Sequence, residues 1–306
     1  MISRRKLLLT PLLTPLALVP LRKSAQAAAQ AVRLPLAIHG NTTLAAGYRR
    51  SMEGWAKAGI THVELVAEHV DEFLKTDSIA AARRVLTDNG LTPVSVASRV
   101  NTLWEPHPDN AKSLEEFRKR CEQFKALGLT NIYSPTGTMS KFTEEDLTRG
   151  AENMRAVGEA ARQFEMVAMV EGVRASTFIN TFPTLLRVTR AANHPNLKPL
   201  LDFYHFWSTN NKLEDLDLIR PGEIGHVHFQ DVPDMPREFL DNNTRFIPGD
   251  GISPLNAMLR KIVEKGYRGA LSVELFLARL RQGDPYEAAR EIRQKAEPVM
   301  RAAGVL

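Results

Sequence analysis

The 306-residue chain predicts a (β/α)8 barrel folded as a single domain. Short apolar runs alternate with longer amphipathic stretches of helical period, strand first, with no linker or composition break between them. Strict alternation of this kind builds a parallel sheet, and eight such units close on themselves within about 250 residues. The structural alternative, an open doubly wound sheet, is disfavoured because no glycine-rich dinucleotide turn follows the first run.

Residues 1–27 stand outside this pattern. They carry a basic start, an apolar stretch from Leu7 to Leu21, and small residues at Ala25 and Ala27. That order predicts a secretory signal removed after Ala27, leaving 28–306 as the barrel domain. Ser3-Arg4-Arg5 followed by leucines resembles the twin-arginine export signal, which implies the twin-arginine translocase as a transport partner and a periplasmic location. Pro11, Pro15 and Pro20 interrupt the apolar run, which argues against a stable membrane anchor, and no lipid-accepting cysteine is present. The formal charge of +5 is matched by Arg4, Arg5, Lys6, Arg22 and Lys23. The remainder is therefore near neutral, and a nucleic-acid or membrane-surface partner loses its support. Cys121, the single cysteine, sits in a helical segment and has no internal partner for a disulfide.

Taken in order, the strand candidates are 34–40, 62–68, 93–99, 130–137, 167–173, 197–206, 224–231 and 270–276. Each is rich in Val, Ile, Leu or aromatics and bounded by Gly, Pro or polar clusters. Eight helices are expected between them, among them 113–128, 143–165 and 253–266. Glu144, Glu145 and Asp146 put acids in a first turn, while Gly90, Gly128 and Gly266 stand where helices end.

Barrel enzymes place their chemistry at the carboxyl ends of the strands. There the fifth candidate ends with Glu171, the sixth carries Asp202 and His205, the seventh His226, His228 and Asp231, and the eighth Glu274. Alternation aims Glu171 and Glu274 into the lumen and sets His228 nearer the mouth than His226. Each residue alone reads as a cap, an ion-pair partner or a core histidine. Together they crowd three carboxylates, which repel one another and resist burial. One divalent ion held by Glu171, Asp202, His228 and Glu274 resolves both difficulties, with Mn²⁺ first and Mg²⁺, Co²⁺ or Zn²⁺ as alternatives.

At these residues the sequence resembles the xylose-isomerase-like TIM barrel superfamily, often called sugar phosphate isomerase/epimerase. The resemblance spans 28–306 and rests on the Glu ending the fifth strand, "DFYH", "HFQD", the "PGDG" turn and the final "VEL". It implies the same four metal ligands, and it places His205 against substrate. Asp250 stands where Glu is usual in the turn, so its role stays open, as does that of His226. The superfamily includes inosose isomerases and dehydratases, ketose 3-epimerases and a three-zinc DNA repair nuclease. The last needs a three-zinc cluster with many more histidine ligands, whereas of this chain's eight histidines only His205, His226 and His228 cluster in the late strands.

The expected chemistry uses Glu171 and Glu274 as an acid/base pair around an enediolate. Epimerisation, isomerisation and dehydration all remain open at this point. Export favours an unphosphorylated keto-sugar or inosose as the small-molecule substrate, acted on by a metal-dependent isomerase or epimerase. A lyase or dehydratase of keto-sugars or oxidised glycosides is the alternative, and a non-catalytic sugar-binding protein a third. Trp104, Arg245 and Glu68 join His205 as expected substrate contacts; Arg99, His39, His107 and Trp207 fall in neighbouring positions. Members of such families often form homo-oligomers, and no residue here demands it.

Overall fold

The structure, a computed structural model, describes residues 32–306. The expected signal segment and its boundary at residue 28 lie outside the described residues. Eight parallel strands close into a barrel: β1 (Leu36–His39), β2 (His62–Val66), β3 (Thr92–Ala97), β4 (Asn131–Pro135), β5 (Val167–Glu171), β6 (Leu197–Asp202), β7 (His226–His228) and β8 (Leu271–Val273). Pairing of Ala37 with Ser272 and of Ile38 with Val273 joins β8 back to β1.

Helices surround the sheet: α1 (Gly47–Lys57), α2 (Ala67–Leu74), α3 (Ile79–Asp88), α4 (Asn110–Ala126), α5 (Glu144–Arg162), α6 (Phe182–Ala192), α7 (Phe203–Trp207), α8 (Leu255–Glu264), α9 (Ala278–Arg281) and α10 (Pro285–Ala303). Their starts and stops follow local chemistry. Thr143 and Asp146 close a reciprocal capping box at the head of α5. Gly90, Gly128 and Gly266 take φ of 64°, 89° and 85° just past α3, α4 and α8, a region that disfavours a Cβ. No described helix is long and apolar enough to cross a membrane.

Three expectations need correction. The one-helix-per-unit count fails between β2 and β3, which hold α2 and α3, and after β8, where α9 and α10 follow; between β6 and β7 the helix α7 has only five residues and a 3-10 turn follows at Leu213–Leu218. The candidate strand 197–206 stops at Asp202, whose Oδ1 accepts the backbone N–H of His205 at 2.7 Å and so starts α7. An aspartate able to cap ends the strand there despite the β-favouring aromatics after it. Likewise Glu68, expected at a strand end, lies in the first turn of α2.

The main core lies between strands and helices, with Ile38, Val63, Leu65, Val96, Ile132, Val170, Leu201 and Val227 packed against the helical shell. Inside the barrel the filling is asymmetric. Val66, Ala97, Tyr133, Met169 and Leu200 form a small apolar cluster on the β2–β6 side. His39, Glu64, His226, His228 and Ser272 are buried in the same lumen. Register sets Asp202 directly opposite His228. The polar layer is thereby lifted to the carboxyl end of the sheet, over a packed floor.

Candidate metal centre and substrate cavity

Glu171, Asp202, His228 and Glu274 offer ligand atoms that all lie within 4.8 Å of one another, and all four residues are buried. His228 is the hub. Its Nδ1 sits 3.1 Å from Glu171 Oε1, 3.4 Å from Asp202 Oδ2 and 3.5 Å from Glu274 Oε2. Its Nε2 faces the other way, 3.2 Å from Glu64 Oε2. Glu64 also accepts from His226 Nε2 at 3.0 Å, so His226 belongs to the floor beneath the cluster.

Arg245 changes the electrostatics expected from sequence. It reaches in from the loop after β7 and is only 2% exposed. Its Nη1 donates to Asp202 Oδ2 at 3.0 Å and to Glu274 Oε2 at 2.6 Å. Its Nη2 lies 2.9 Å from His205 Nε2, and its plane is covered by Tyr204 and Phe276. The sequence argument that only a divalent ion lets these acids crowd together is therefore too narrow. The chain brings a guanidinium and an imidazole of its own.

These neighbours split the carboxyls apart. Burial opposes charge on Asp202, but the Arg245 guanidinium beside it outweighs that and holds the group well below its usual range. Burial also opposes charge on Glu274, but Arg245, which donates to its Oε2, keeps the carboxyl ionised and below its usual range. Burial wins at Glu171, which His228 only partly offsets, and its carboxyl is pushed up to about 7. Burial would lower His228, but Glu64, Glu171 and Glu274 outweigh it and hold the imidazole well above its ordinary value. Burial pushes His205 down to about 4, so that ring is neutral.

Three oxygens and one nitrogen converging on one point fit a divalent first-row or alkaline-earth ion. Two orphaned atoms strengthen the fit: Glu64 Oε1 and His228 Nε2 lack hydrogen-bond partners, side by side. A ligating histidine hands its second ring N–H to an acid behind it, and Glu64 stands where that acid belongs.

Two members of the cluster, Glu171 and Glu274, face a cavity of about 490 Å³. Glu171, Glu274, His205 and Arg245 all line it, as do Asn41, Tyr133, Arg99, Arg174, Met139 and Phe276. Of the expected substrate contacts, His205 and Arg245 are thus brought together with the metal cluster. Trp104 is not: it is 1% exposed, donates its Nε1–H to Ser134 O at 3.0 Å, and packs outside the cavity. Glu68 pairs with Arg99, which itself lines the mouth with a left-handed φ of 59°. His107 lies on the surface beside Asp109.

Two questions left open by sequence find answers. Asp250 makes a surface ion pair with Lys295 at 2.6 Å. The buried acid of that turn is Asp231, which accepts the backbone N–H groups of Val232, Gly249, Gly251 and Ser253. Sequence reasoning missed Asn41, whose Nδ2 donates to Glu274 Oε1 at 2.9 Å, and Gln230, whose Nε2 donates to Asp202 Oδ2 at 2.9 Å. Position was the available signal, since Asn41 lies two residues past the end of β1 and Gln230 two past the end of β7.

Comparison with known proteins agrees with this fold. An inosose isomerase of Halalkalibacterium halodurans is 26% identical over 231 residues, covering 74% of this chain and 82% of the relative. A 3-dehydroshikimate dehydratase of Pseudomonas aeruginosa is 31% identical over 238 residues, 74% of this chain but 35% of that longer protein. Among solved structures, the IOLI protein with a bound zinc atom superposes with a TM-score of 0.79 at 22% identity, covering 88% of this chain and 98% of that one. Residues 53–301 match the xylose isomerase-like TIM barrel family, and the chain belongs to that family.

Proposed function

We propose that this protein is a divalent-metal-dependent isomerase or epimerase of an unphosphorylated keto-sugar or inosose, working by proton transfer next to the carbonyl. Its relatives are isomerases and dehydratases, and the chain is an enzyme of that kind. The observation that carries the reading is the unequal pair Glu171 and Glu274, which line one cavity from β5 and from the end of β8. One is held near neutrality and the other is held ionised. Two carboxyls driven apart in this way make an acid and a base.

A bound divalent ion, held by Glu171, Asp202, His228 and Glu274, supplies Lewis-acid polarisation of the carbonyl. The zinc in the IOLI structure supports a divalent ion here, with Mn²⁺ proposed as the working metal. The chain's own groups do the rest. Glu274 takes the proton from the carbon beside the carbonyl, leaving an enediolate. Arg245 and His205, beside it, bind the substrate's oxygens. Glu171 returns a proton to the opposite face for epimerisation, or to the adjacent carbon for isomerisation. Each carboxylate has two oxygens, so holding an ion with one leaves the other for the proton.

Dehydration is the second reading. A departing β-hydroxyl needs a proton to leave as water, and 3-dehydroshikimate dehydratases are among the relatives. Export to the periplasm through the twin-arginine route is proposed from Ser3-Arg4-Arg5 and the apolar run after it. One experiment tests the chemistry: Mn²⁺-loaded protein in D₂O with a panel of ketoses and inososes, followed by proton NMR. Deuterium is expected at the carbon beside the carbonyl even without net turnover. No incorporation across the panel would leave a sugar-binding protein as the better account.

A further inference from the structure

We propose that Tyr133 donates its phenolic O–H to the substrate oxygen that gains negative charge, a role set by the tautomer of His39. The identity of that oxygen rests on the reading above; the free donor does not.

Tyr133 lies on the inner face of β4, is 3% exposed, and lines the cavity with Glu171 and Glu274. Among the described residues its hydroxyl has one hydrogen-bond partner, His39 Nε2, at 3.0 Å. Which atom donates is decided on the far side of the imidazole. There the backbone N–H of Asn41 points at His39 Nδ1 across 3.0 Å. A backbone amide only donates, so at 3.0 Å Nδ1 accepts and carries no hydrogen; the Glu274 Oε1 near the same nitrogen is farther off, at 3.6 Å, beyond hydrogen-bond distance. The ring's one proton is therefore on Nε2, and it is Nε2–H that donates to the phenol oxygen.

The consequence falls on Tyr133. Its oxygen accepts from His39, and its own hydrogen has no acceptor among the described residues. A buried hydroxyl hydrogen left unpaired costs free energy, and the side of the phenol open to a ligand is the cavity. The ring cannot turn away. It is wedged edge-on against His228, with centroids 5.1 Å apart, and packs with Val66, Ala97, Met169 and Leu200. A fixed donor beside the two proton-transferring acids meets the oxygen of a polyhydroxy ketone as it becomes an enolate oxygen. Donors preplaced in this way stabilise developing charge without reorganising. Tyr133 is on this account a catalytic residue, and His39 and the Asn41 amide are the groups that position it.

The test has two arms. In the first, magnesium-loaded full-length protein labelled with ¹⁵N-histidine is examined by long-range ¹H–¹⁵N NMR, with His39 assigned by its loss in His39→Gln. The Nε2–H tautomer is expected, and the Nδ1–H tautomer would overturn the proposal whatever the enzyme's reaction. In the second, α-proton exchange of scyllo-inosose in D₂O is compared between wild type and Tyr133→Phe. A loss of about 10²–10³-fold in kcat is expected, the range for removing one such donor. KM and Mn²⁺ affinity should stay within about twofold. Exchange within about threefold of wild type would overturn the proposal. If wild type itself exchanges nothing, the isomerase reading fails and the tautomer decides the donor alone, as it also does if Tyr133→Phe does not fold.

Discussion

Arg245 shows how one side chain resets the electrostatics of a site. Its buried guanidinium bridges Asp202 and Glu274, so both acids stay ionised without an added ion. Removing one partner of a buried pair leaves the other charge uncompensated, at roughly 3–5 kcal/mol. Arg245→Met should therefore lower metal-free stability by about that much in urea titration, and saturating Mn²⁺ should restore more of it than wild type gains. Glu274→Gln should reduce α-proton exchange by about 10²–10⁴-fold, the usual weight of a general base. Unchanged exchange would remove Glu274 from the mechanism. Glu64→Gln, which alters the acid behind His228, should weaken Mn²⁺ binding by about 10–100-fold in calorimetric titration.

Protonation gives a pH test at the same scale. Glu171 and His228 both have raised pKa values in the folded, metal-free protein, so protons compete with an ion at both. Metal affinity should then rise as pH increases through about 7, with proton release detectable in buffers of different ionisation enthalpy. The sign for stability follows for Glu171 alone. A folded carboxyl raised to about 7 has no effect below its unfolded value, and destabilises increasingly from there up to about 7. Affinity that does not change across this window would contradict the assignment of these groups as ligands.

At the scale of elements, the loop after β7 is organised by Asp231. Its carboxylate gathers four backbone N–H groups, and its own backbone pairs with Phe246, the residue after Arg245. Hydrogen bonds to a charged group are worth about 1.5–3 kcal/mol each, so Asp231→Asn should destabilise by roughly 2–4 kcal/mol after partial re-pairing. Gly251 is locked in the same turn, because a Cβ there would lie 2.3 Å from Val232 O and 2.6 Å from Asp231 Oδ1. Here sequence reading met its limit. "HFQD" and "PGDG" were both visible, but which acid faced inward depended on a contact between two loops. The sixth strand was read too long for a different, local reason. Phe203, Tyr204 and Phe206 favour strand, but the Asp202 side chain caps the N–H of His205 three residues on and turns the chain into α7.

Across the whole molecule, barrel closure brings together what the sequence spreads over more than 200 residues. Alternation made the eight strands legible, and Glu171, Asp202, His228 and Glu274 were legible because each is charged or basic at the end of a successive strand. Tyr133 and Asn41 were not, because a neutral residue at a strand end gives no sign of its partner until β1, β4 and β8 meet. Those partners are His39 and Glu274. Arg245 was expected as a substrate contact, but its burial against Asp202 and Glu274 depended on a loop whose course no periodicity reveals. Binding that couples the ends of four strands must stabilise the closed barrel. At metal 100-fold above Kd the gain is about 2.7 kcal/mol, reversed by chelator and readable as a shift in Tm.

The central claim is that Glu171, Asp202, His228 and Glu274 form one metal site at the base of the substrate cavity. Metal analysis of the purified, reconstituted protein beside Asp202→Asn tests it most directly, with manganese, cobalt, magnesium and zinc offered in turn. One ion per chain in the wild type, lost or weakened by at least about 100-fold in the variant, is the predicted result. No uptake of any of the four, or equal uptake by both proteins, would contradict it.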